Sequence, residues 1–284
     1  MALTDLVHQT KSILYSAGMG EKPSIRLAAA NAAETSSGSV ISFDLVSGQG
    51  AKVKPGDYLA SSGSSTAEDS LVYHVVSVST DTITGVPILG SVGVPTETID
   101  NRIFEQNPPV TELEIIRNIR AIVAVLWPKV FKFVSATVTP SFTSPVAVPS
   151  EARDIIHAEQ RIGGIPYSVG YRLYRNRHTT LSATGVLADF AIADGSTVYY
   201  TYTAEEDEDT TDPTVQRLVA LGAAGMCLTG VSPAAAMERS KQDNEFRPTG
   251  LSAAISNIWR EFALLREQIS EDLSRDVMGL RSMQ

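Results

Sequence analysis

The residues able to do chemistry are few and scattered. The four histidines, His8, His74, His157 and His178, fall in separate stretches and form neither a His-x-His pair nor a His-Glu-x-x-His zinc motif. His157 lies in a strand-like run with Ile155 and Ile156 and reads as a half-buried structural histidine. Cys227 is the only cysteine, which excludes an internal disulfide and a Cys-rich zinc site. It sits on the apolar face of a helix with nothing nearby in sequence to lower its pKa, so packing is the expected role. Gly48-Gln49-Gly50-Ala51-Lys52 invites a phosphate-loop reading, but the Gly-x-x-x-x-Gly-Lys spacing is absent and no helix pattern follows. A glycine turn is the expected form. No Gly-x-Ser-x-Gly elbow marks a serine nucleophile, although a triad assembles in space and needs no fixed spacing.

Three charged groups complete the search. The run Glu205-Glu206-Asp207-Glu208-Asp209 lacks the alternating acidic spacing and central glycine of a calcium loop, and reads as a solvated acidic loop. Glu151, Asp154 and Glu159 are the carboxylates a glycan-cleaving site would use as acid and base, marked by residue type alone. Arg172, Arg175, Arg177 and His178 interleave with Tyr171 and Tyr174, a pattern that could contact nucleic acid through phosphates and stacking. A strand with one polar face and a basic hairpin tip is the preferred reading, because the whole chain is acidic.

That balance is 23 Lys+Arg against 32 Asp+Glu, a formal charge of -9 over 284 residues, which argues against a protein that grips DNA by neutralising phosphates. Hydrophobic residues make up 43% and charged residues 19%, enough apolar material for one large domain or two modest ones. No stretch reaches the roughly 18 uninterrupted apolar residues of a membrane helix. Met1-Ala2-Leu3-Thr4-Asp5 lacks the basic start of a signal peptide, so a soluble protein made in a cytoplasm is expected.

Periodicity supplies the elements that must position these residues. Leu3, Leu6, Val7, Ile13 and Leu14 mark a first helix ended by Gly18 and Gly20. Pro23 to Ala33 is ambiguous and leans to strand. Short β runs follow at 40–46, 57–60, 71–78 and 81–86, separated by Gly, Pro and Ser turns. Thr111-Glu112-Leu113-Glu114 is a capping box with Val110 and Ile115 as its staple. It opens a helix whose stripe is Leu113, Ile116, Ile119, Ile122, Val123, Leu126 and Trp127, stopped by Pro128.

A second β region has strands at 130–138, 154–162, 171–175, 186–192 and 197–203, with a loop punctuated by Pro145 and Pro149 and a turn at Ala193-Asp194-Gly195-Ser196. Asp212 and Pro213 cap a helix rich in Ala and Gly, and Ser232-Pro233 starts a short one. The last helix, from about Thr249 to Met278, carries the seam Leu251, Ile255, Ile258, Phe262, Leu265, Ile269 and Leu273, after which the tail from Leu280 looks free. The expected fold is α+β: a discontinuous helical bundle, residues 1–35 with 105–128 and 212–284, carrying two antiparallel β inserts at 36–104 and 129–211.

In order and texture the chain resembles a known class. The carriers are Lys54-Pro55-Gly56-Asp57-Tyr58-Leu59, Val75 to Ile83, Leu126-Trp127-Pro128-Lys129-Val130-Phe131, Pro149 to Ile156, Tyr171 to Arg175, Thr184 to Leu187 and Asp194 to Tyr202. This series resembles the head-to-tail adaptor (connector) proteins of tailed bacteriophages. The resemblance implies a structural virion protein and not an enzyme, with no cofactor or metal. It implies a homo-oligomeric ring, commonly of twelve subunits, seated beneath the portal protein and above a tail or neck protein, through which DNA passes without specific binding.

The family's C-terminal segment often docks on the portal, which makes Leu265, Ile269, Leu273, Arg275, Val277, Met278, Leu280 and Arg281 the docking candidates. An acidic lumen would let DNA slide, so Glu205, Glu206, Asp207, Glu208 and Asp209 are the channel-facing candidates, with the Arg172–Arg177 cluster turned toward a protein neighbour. The alternatives are another tail component (tail terminator, minor tail or baseplate protein) and, in a different class, a glycan-degrading virion enzyme.

Overall fold

The computed structural model describes residues 2–19, 24–26, 41–62, 72–89, 103–140, 146–175, 186–192, 196–230 and 248–282. The protein is mixed α and β: four helices among the described residues and antiparallel sheets, one of them a half-barrel. Two compact units divide the chain, 1–122 with 208–263 and 123–207 with 264–284. No helix among the described residues is long and apolar enough to cross a membrane. The expected short helix at Ser232-Pro233, most of the turn at Ala193–Ser196, Arg177 and His178 lie outside the described residues.

In the first unit, helix α1 (Ala2–Ser16) packs on α3 (Pro213–Gly230). Leu6, Val7 and Leu14 supply its buried face, and Thr10 is satisfied there by donating its hydroxyl to the Leu6 carbonyl at 2.7 Å. Helix α2 (Glu112–Leu126) starts at the expected capping box: Thr111 N–H donates to Glu114 Oε2 at 2.8 Å, and Glu114 N–H returns to Thr111 Oγ1 at 3.2 Å. Its buried face in this unit is Leu113, Ile115, Ile116, Ile119 and Ile122. Each is worth about 1.5–3 kcal/mol of transfer free energy when fully buried.

Asp212 caps α3 by accepting from Thr214 N–H at 2.7 Å. From Leu218 to Gly225 every residue of α3 is buried, because Gly and Ala leave room for neighbours on several sides. A Cβ on Gly222 would come 2.8 Å from Ile122 Cδ1 and 2.9 Å from the Phe262 ring, and one on Gly225 2.8 Å from the Trp259 ring. Trp259 and Phe262 belong to α4 (Pro248–Ser282), the 35-residue last helix.

The same unit holds a six-stranded antiparallel sheet in the order β1-β6-β3-β4-β5-β2, with β1 Ser24–Arg26, β2 Ile41–Asp44, β3 Tyr58–Ser62, β4 Val72–Ser79, β5 Thr82–Leu89 and β6 Ile103–Gln106. Phe43 stacks on Phe104 at 5.4 Å and Tyr73 meets Phe104 edge-on at 5.9 Å, over Leu59, Val75 and Ile83. Of the ambiguous stretch Pro23 to Ala33, Ser24–Arg26 is strand. The strand β6 has no counterpart in the sequence reading, because only two apolar residues mark it.

In the second unit, β10-β9-β13-β7 form one antiparallel sheet and β11-β12-β8 another. The strands are β7 Lys132–Val138, β8 Val146–Val148, β9 Asp154–Ile162, β10 Ile165–Ser168, β11 Tyr171–Arg175, β12 Val186–Phe190 and β13 Val198–Ala204. Both sheets share a core of Ile155, Ala158, Tyr200, Tyr202, Val148, Ala188 and Phe190. Strand β8 lies within the stretch read as a loop, and β10 was not expected. The end of α4 also differs from expectation: Gly279 does not stop the helix, which runs to Ser282. One helical glycine costs only about 1 kcal/mol relative to alanine, and Arg281 Nη2 donates to Asp154 Oδ2 at 2.7 Å.

Candidate functional site

The glycine turn of the first unit is already filled by the protein itself. Gly48 N–H donates to Asp81 Oδ2 at 3.0 Å and Gly50 N–H to Asp81 Oδ1 at 2.8 Å. These backbone donors hold the Asp81 carboxyl below its ordinary pKa. The amides that a phosphate would need are therefore engaged by an internal anion. Gly50 also has no room for a side chain, since a Cβ there would stand 1.9 Å from the Thr80 carbonyl oxygen.

Asp57 repeats the device. Burial pushes its pKa up, but donation from Asn107 Nδ2 at 2.9 Å, Lys54 N–H at 2.7 Å and Gln106 Nε2 at 2.8 Å leaves it lowered.

A partly buried ion triad joins three elements of this unit. Lys11 Nζ on α1 lies 2.8 Å from Glu105 Oε1 on β6 and 3.2 Å from Glu112 Oε2 at the start of α2. Burial works to lower the Lys11 pKa, but Glu112 and Glu105 outweigh it and the net shift is upward. The sequence reading missed this triad, because Lys11 and Glu105 are 94 residues apart. Cys227 behaves as expected of a packing residue. It is buried, it accepts from Asn118 Nδ2 at 3.1 Å, and burial pushes its thiol up to about 11.

A groove of about 750 Å³ opens between α1, α3 and α4 within the first unit. Ile13, Leu221 and Ile258 line it together with Gln9, Ser12 and Asn257.

The acidic run is more engaged than a solvated loop would be. Glu205 accepts from Arg153 Nη2 at 2.6 Å, Asp207 pairs with Lys132, and Glu208 takes a two-pronged contact from Arg120 at 2.6 and 2.9 Å. Glu206 is buried. Much of the run's charge is thus compensated by cations far away in sequence. Arg172 is exposed and stands opposite Asp189 in the β11–β12 register.

The three carboxylates considered for glycan chemistry have separate employments. Glu151 accepts from the Tyr202 hydroxyl at 3.0 Å, and burial followed by this contact pushes that phenol to about 12. Asp154 takes the Arg281 contact. Arg161 Nε, 2.8 Å from Glu159, holds the Glu159 carboxyl below its ordinary range, the opposite of what a general acid needs. His157 Nε2 lies 3.4 Å from the same carboxylate.

The docking candidates share the second half of α4. Ile269 is buried, Leu265, Leu273, Val277 and Leu280 are half-buried, and Met278 is exposed. Arg275 pairs with Glu271 and Asp272 on its own helix. The sequence reading missed a second surface feature, the β9–β10 hairpin, whose Ile162, Ile165 and Tyr167 are exposed. The signal was present as apolar residues flanking Gly163-Gly164. Among the described residues no group of His, Cys, Asp and Glu is placed to hold a metal ion. Comparison with protein-family models, with curated proteins and with solved structures finds no match for the chain.

Proposed function

We propose that this chain is a structural virion protein, a phage head-to-tail adaptor that forms a ring between the portal protein and a tail or neck protein. The observation that carries the reading is the segmented architecture. Among the described residues, helices α1, α2 and α3 are separated in sequence by two antiparallel β modules, and the last helix, α4, is 35 residues long with half-buried apolar residues along its second half. The contacts of α3 with α1, α2 and α4 support a discontinuous helical bundle as the frame. The resemblance in sequence texture points the same way.

In this role the protein is not an enzyme and its mechanism is mechanical. It resides in the virion, and each protomer buries surface against two neighbours in a ring that closes, commonly of twelve copies. The second half of α4, with Met278 exposed at its end, is the portal-docking element. The formal charge of -9 favours a lumen that repels DNA and lets it slide without specific binding. The run Glu205–Asp209 contributes to that lumen with its charge partly offset by Arg120, Arg153 and Lys132.

Native mass spectrometry of the chain mixed with portal rings from the same particle tests the reading. A defined ring of this chain on the portal is expected. A chain that never joins the portal contradicts it. Met278→Glu, an exposed change, is expected to weaken portal binding at least tenfold without altering the circular dichroism spectrum.

A further inference from the structure

We infer that strand β7 pairs antiparallel with the β7 strand of a second copy of this chain, joining two four-stranded sheets into one continuous sheet. The pairing closes after two copies, so it belongs to the chain away from the portal and stands or falls without the adaptor reading.

The backbone register fixes which groups β7 leaves open. In an antiparallel strand the N–H and C=O of one residue point to the same side, and successive residues alternate. Arg153 N–H donates to the Thr203 carbonyl at 2.8 Å, so Thr203 turns its backbone toward β9. Tyr202 and Tyr200 therefore turn theirs toward β7, where they stand opposite Val134 and Ala136. The β13–β7 ladder runs without a bulge, so Val134 and Ala136 direct their groups to β13, while Phe133, Ser135 and Thr137 direct theirs outward. β7 is the last strand of its sheet, and among the described residues these three have no backbone partner on the open side.

The opposite edge of the same sheet is closed to such pairing. Ile162 and Ile165 flank the Gly163-Gly164 turn, with φ of 62° and 84°, and exchange backbone hydrogen bonds. Pro166 then faces out on the β10 edge with no N–H to offer, a device by which edge strands avoid one another. The hairpin there overhangs the core, with Ile162, Ile165 and Tyr167 exposed. β7 has no such defence. From Phe133 to Val138 it carries neither proline nor charge, and Lys132 at its start is paired with Asp207.

The core also thins toward β7. Ile155, Ala158, Tyr200 and Tyr202 on the inner strands are at most 3% exposed, whereas Val134, Ala136 and Val138 are half-buried against the same cluster. A strand laid along β7 with small apolar residues at alternate positions would cover Val134 and Ala136.

β7 is itself such a strand. Paired about Ser135, Phe133 of each copy stands opposite Thr137 of the other. All three are outward positions, so each pair exchanges two hydrogen bonds, about six in all. Val134 falls opposite Ala136 on the core side of both copies, because a two-fold axis normal to the sheet keeps the faces aligned. Lys132 falls opposite Val138, so no like charges meet.

The test uses the full chain without portal. Cys227 is buried, so Ser135→Cys carries one reactive thiol. Oxidised at a concentration where the unmodified chain is dimeric, it is expected to give a disulfide-linked dimer. Thr137→Cys is expected to give none, because the two positions would stand about 14 Å apart, beyond the reach of a disulfide. Ser135 is exposed and its hydroxyl makes only a long contact, 3.4 Å, with Thr201 Oγ1, so its side chain can change without disturbing the core. Ser135→Lys and Ser135→Glu should each weaken self-association at least tenfold in sedimentation with an unchanged circular dichroism spectrum. Their equimolar mixture should restore it, since opposite charges then face each other across the axis.

A chain that stays monomeric at millimolar concentration overturns the inference. So does a dimer that cross-links equally through residue 137 or ignores both charged variants, since its contact then lies elsewhere. Either result leaves the adaptor reading to the portal experiment. A cross-link confined to residue 135, with charged variants that rescue each other, supports the inference whether or not the chain joins portal rings.

Discussion

The six-stranded sheet of the first unit and the paired sheets of the second are locked by different chemistry. At the turns of the first, Asp81 and Asp57 are ionised carboxylates that accept N–H groups from their own module, backbone and amide alike, while Glu105 on β6 meets a cation, Lys11. In the second, carboxylates face side-chain cations: Glu159 with Arg161, Glu205 with Arg153, Asp207 with Lys132, Asp154 with Arg281 and Glu267 with Lys129. The backbone N–H donors are fixed by the turn, and their hydrogen bonds are short-range dipolar contacts rather than charge pairs. Exposed cation pairs lose entropy on forming and weaken in salt. The lesson is that similar acidic composition builds a stiff turn system in one region and an adjustable surface in the other.

The largest expected effect comes from Gly50→Ala, because its new Cβ meets backbone rather than a movable side chain. A loss of more than about 3 kcal/mol in the first module is expected, beyond ordinary overpacking. Hydrogen exchange should then show protection lost at β2 to β5 and kept at β9 and β13. Equal loss in both regions would break the comparison.

Next is Lys11→Met, which takes the ammonium from two carboxylates, Glu105 and the 4% exposed Glu112. A cost of about 2–3 kcal/mol is expected from chemical denaturation followed in the first unit, less than for a fully buried pair. Gly225→Val, pressed against the Trp259 ring, should cost about 1–3 kcal/mol in the same unit.

The acid response sharpens the contrast. Asp57 and Asp81 have folded-state pKa values below their unfolded ones. Their contribution is therefore present above the ordinary carboxylate pKa and is lost as pH falls through the lowered values. Glu159 and Glu267 are lowered as well, chiefly by Arg161 and Lys129. The acid profile of the second unit should flatten in high salt, and that of the first should persist. Asp81→Asn should make the first shallower at any salt concentration, Asp57 supplying the remainder. The smallest effect is expected for Lys132→Ala, under about 1 kcal/mol in thermal unfolding.

The elements legible in the sequence were those written in adjacent residues. Thr111 and Glu114 are three apart and cap α2 reciprocally, Asp212 caps α3, and β4 and β5 form the expected hairpin, its turn at Thr80-Asp81 one residue later than the Ser79-Thr80 between the strand runs. Contacts across the chain were not legible. Lys11 meets Glu105 at a separation of 94 residues, and Arg120 meets Glu208 at 88. Composition gives no sign of which carboxylate finds which cation.

Strand β6 was hidden because Ile103 and Phe104 are too short a pattern to show a period. The run Glu205–Asp209 could be read for its charge but not for its partners. The overhanging hairpin was visible as residues and invisible as a surface, since exposure depends on where the core ends.

The central claim is that this chain forms a ring on a portal. Cryo-electron microscopy of the chain mixed with portal rings tests it most directly. The account predicts one copy per portal subunit, with the second half of α4 against the portal. Portal rings that remain bare at saturating chain would contradict it.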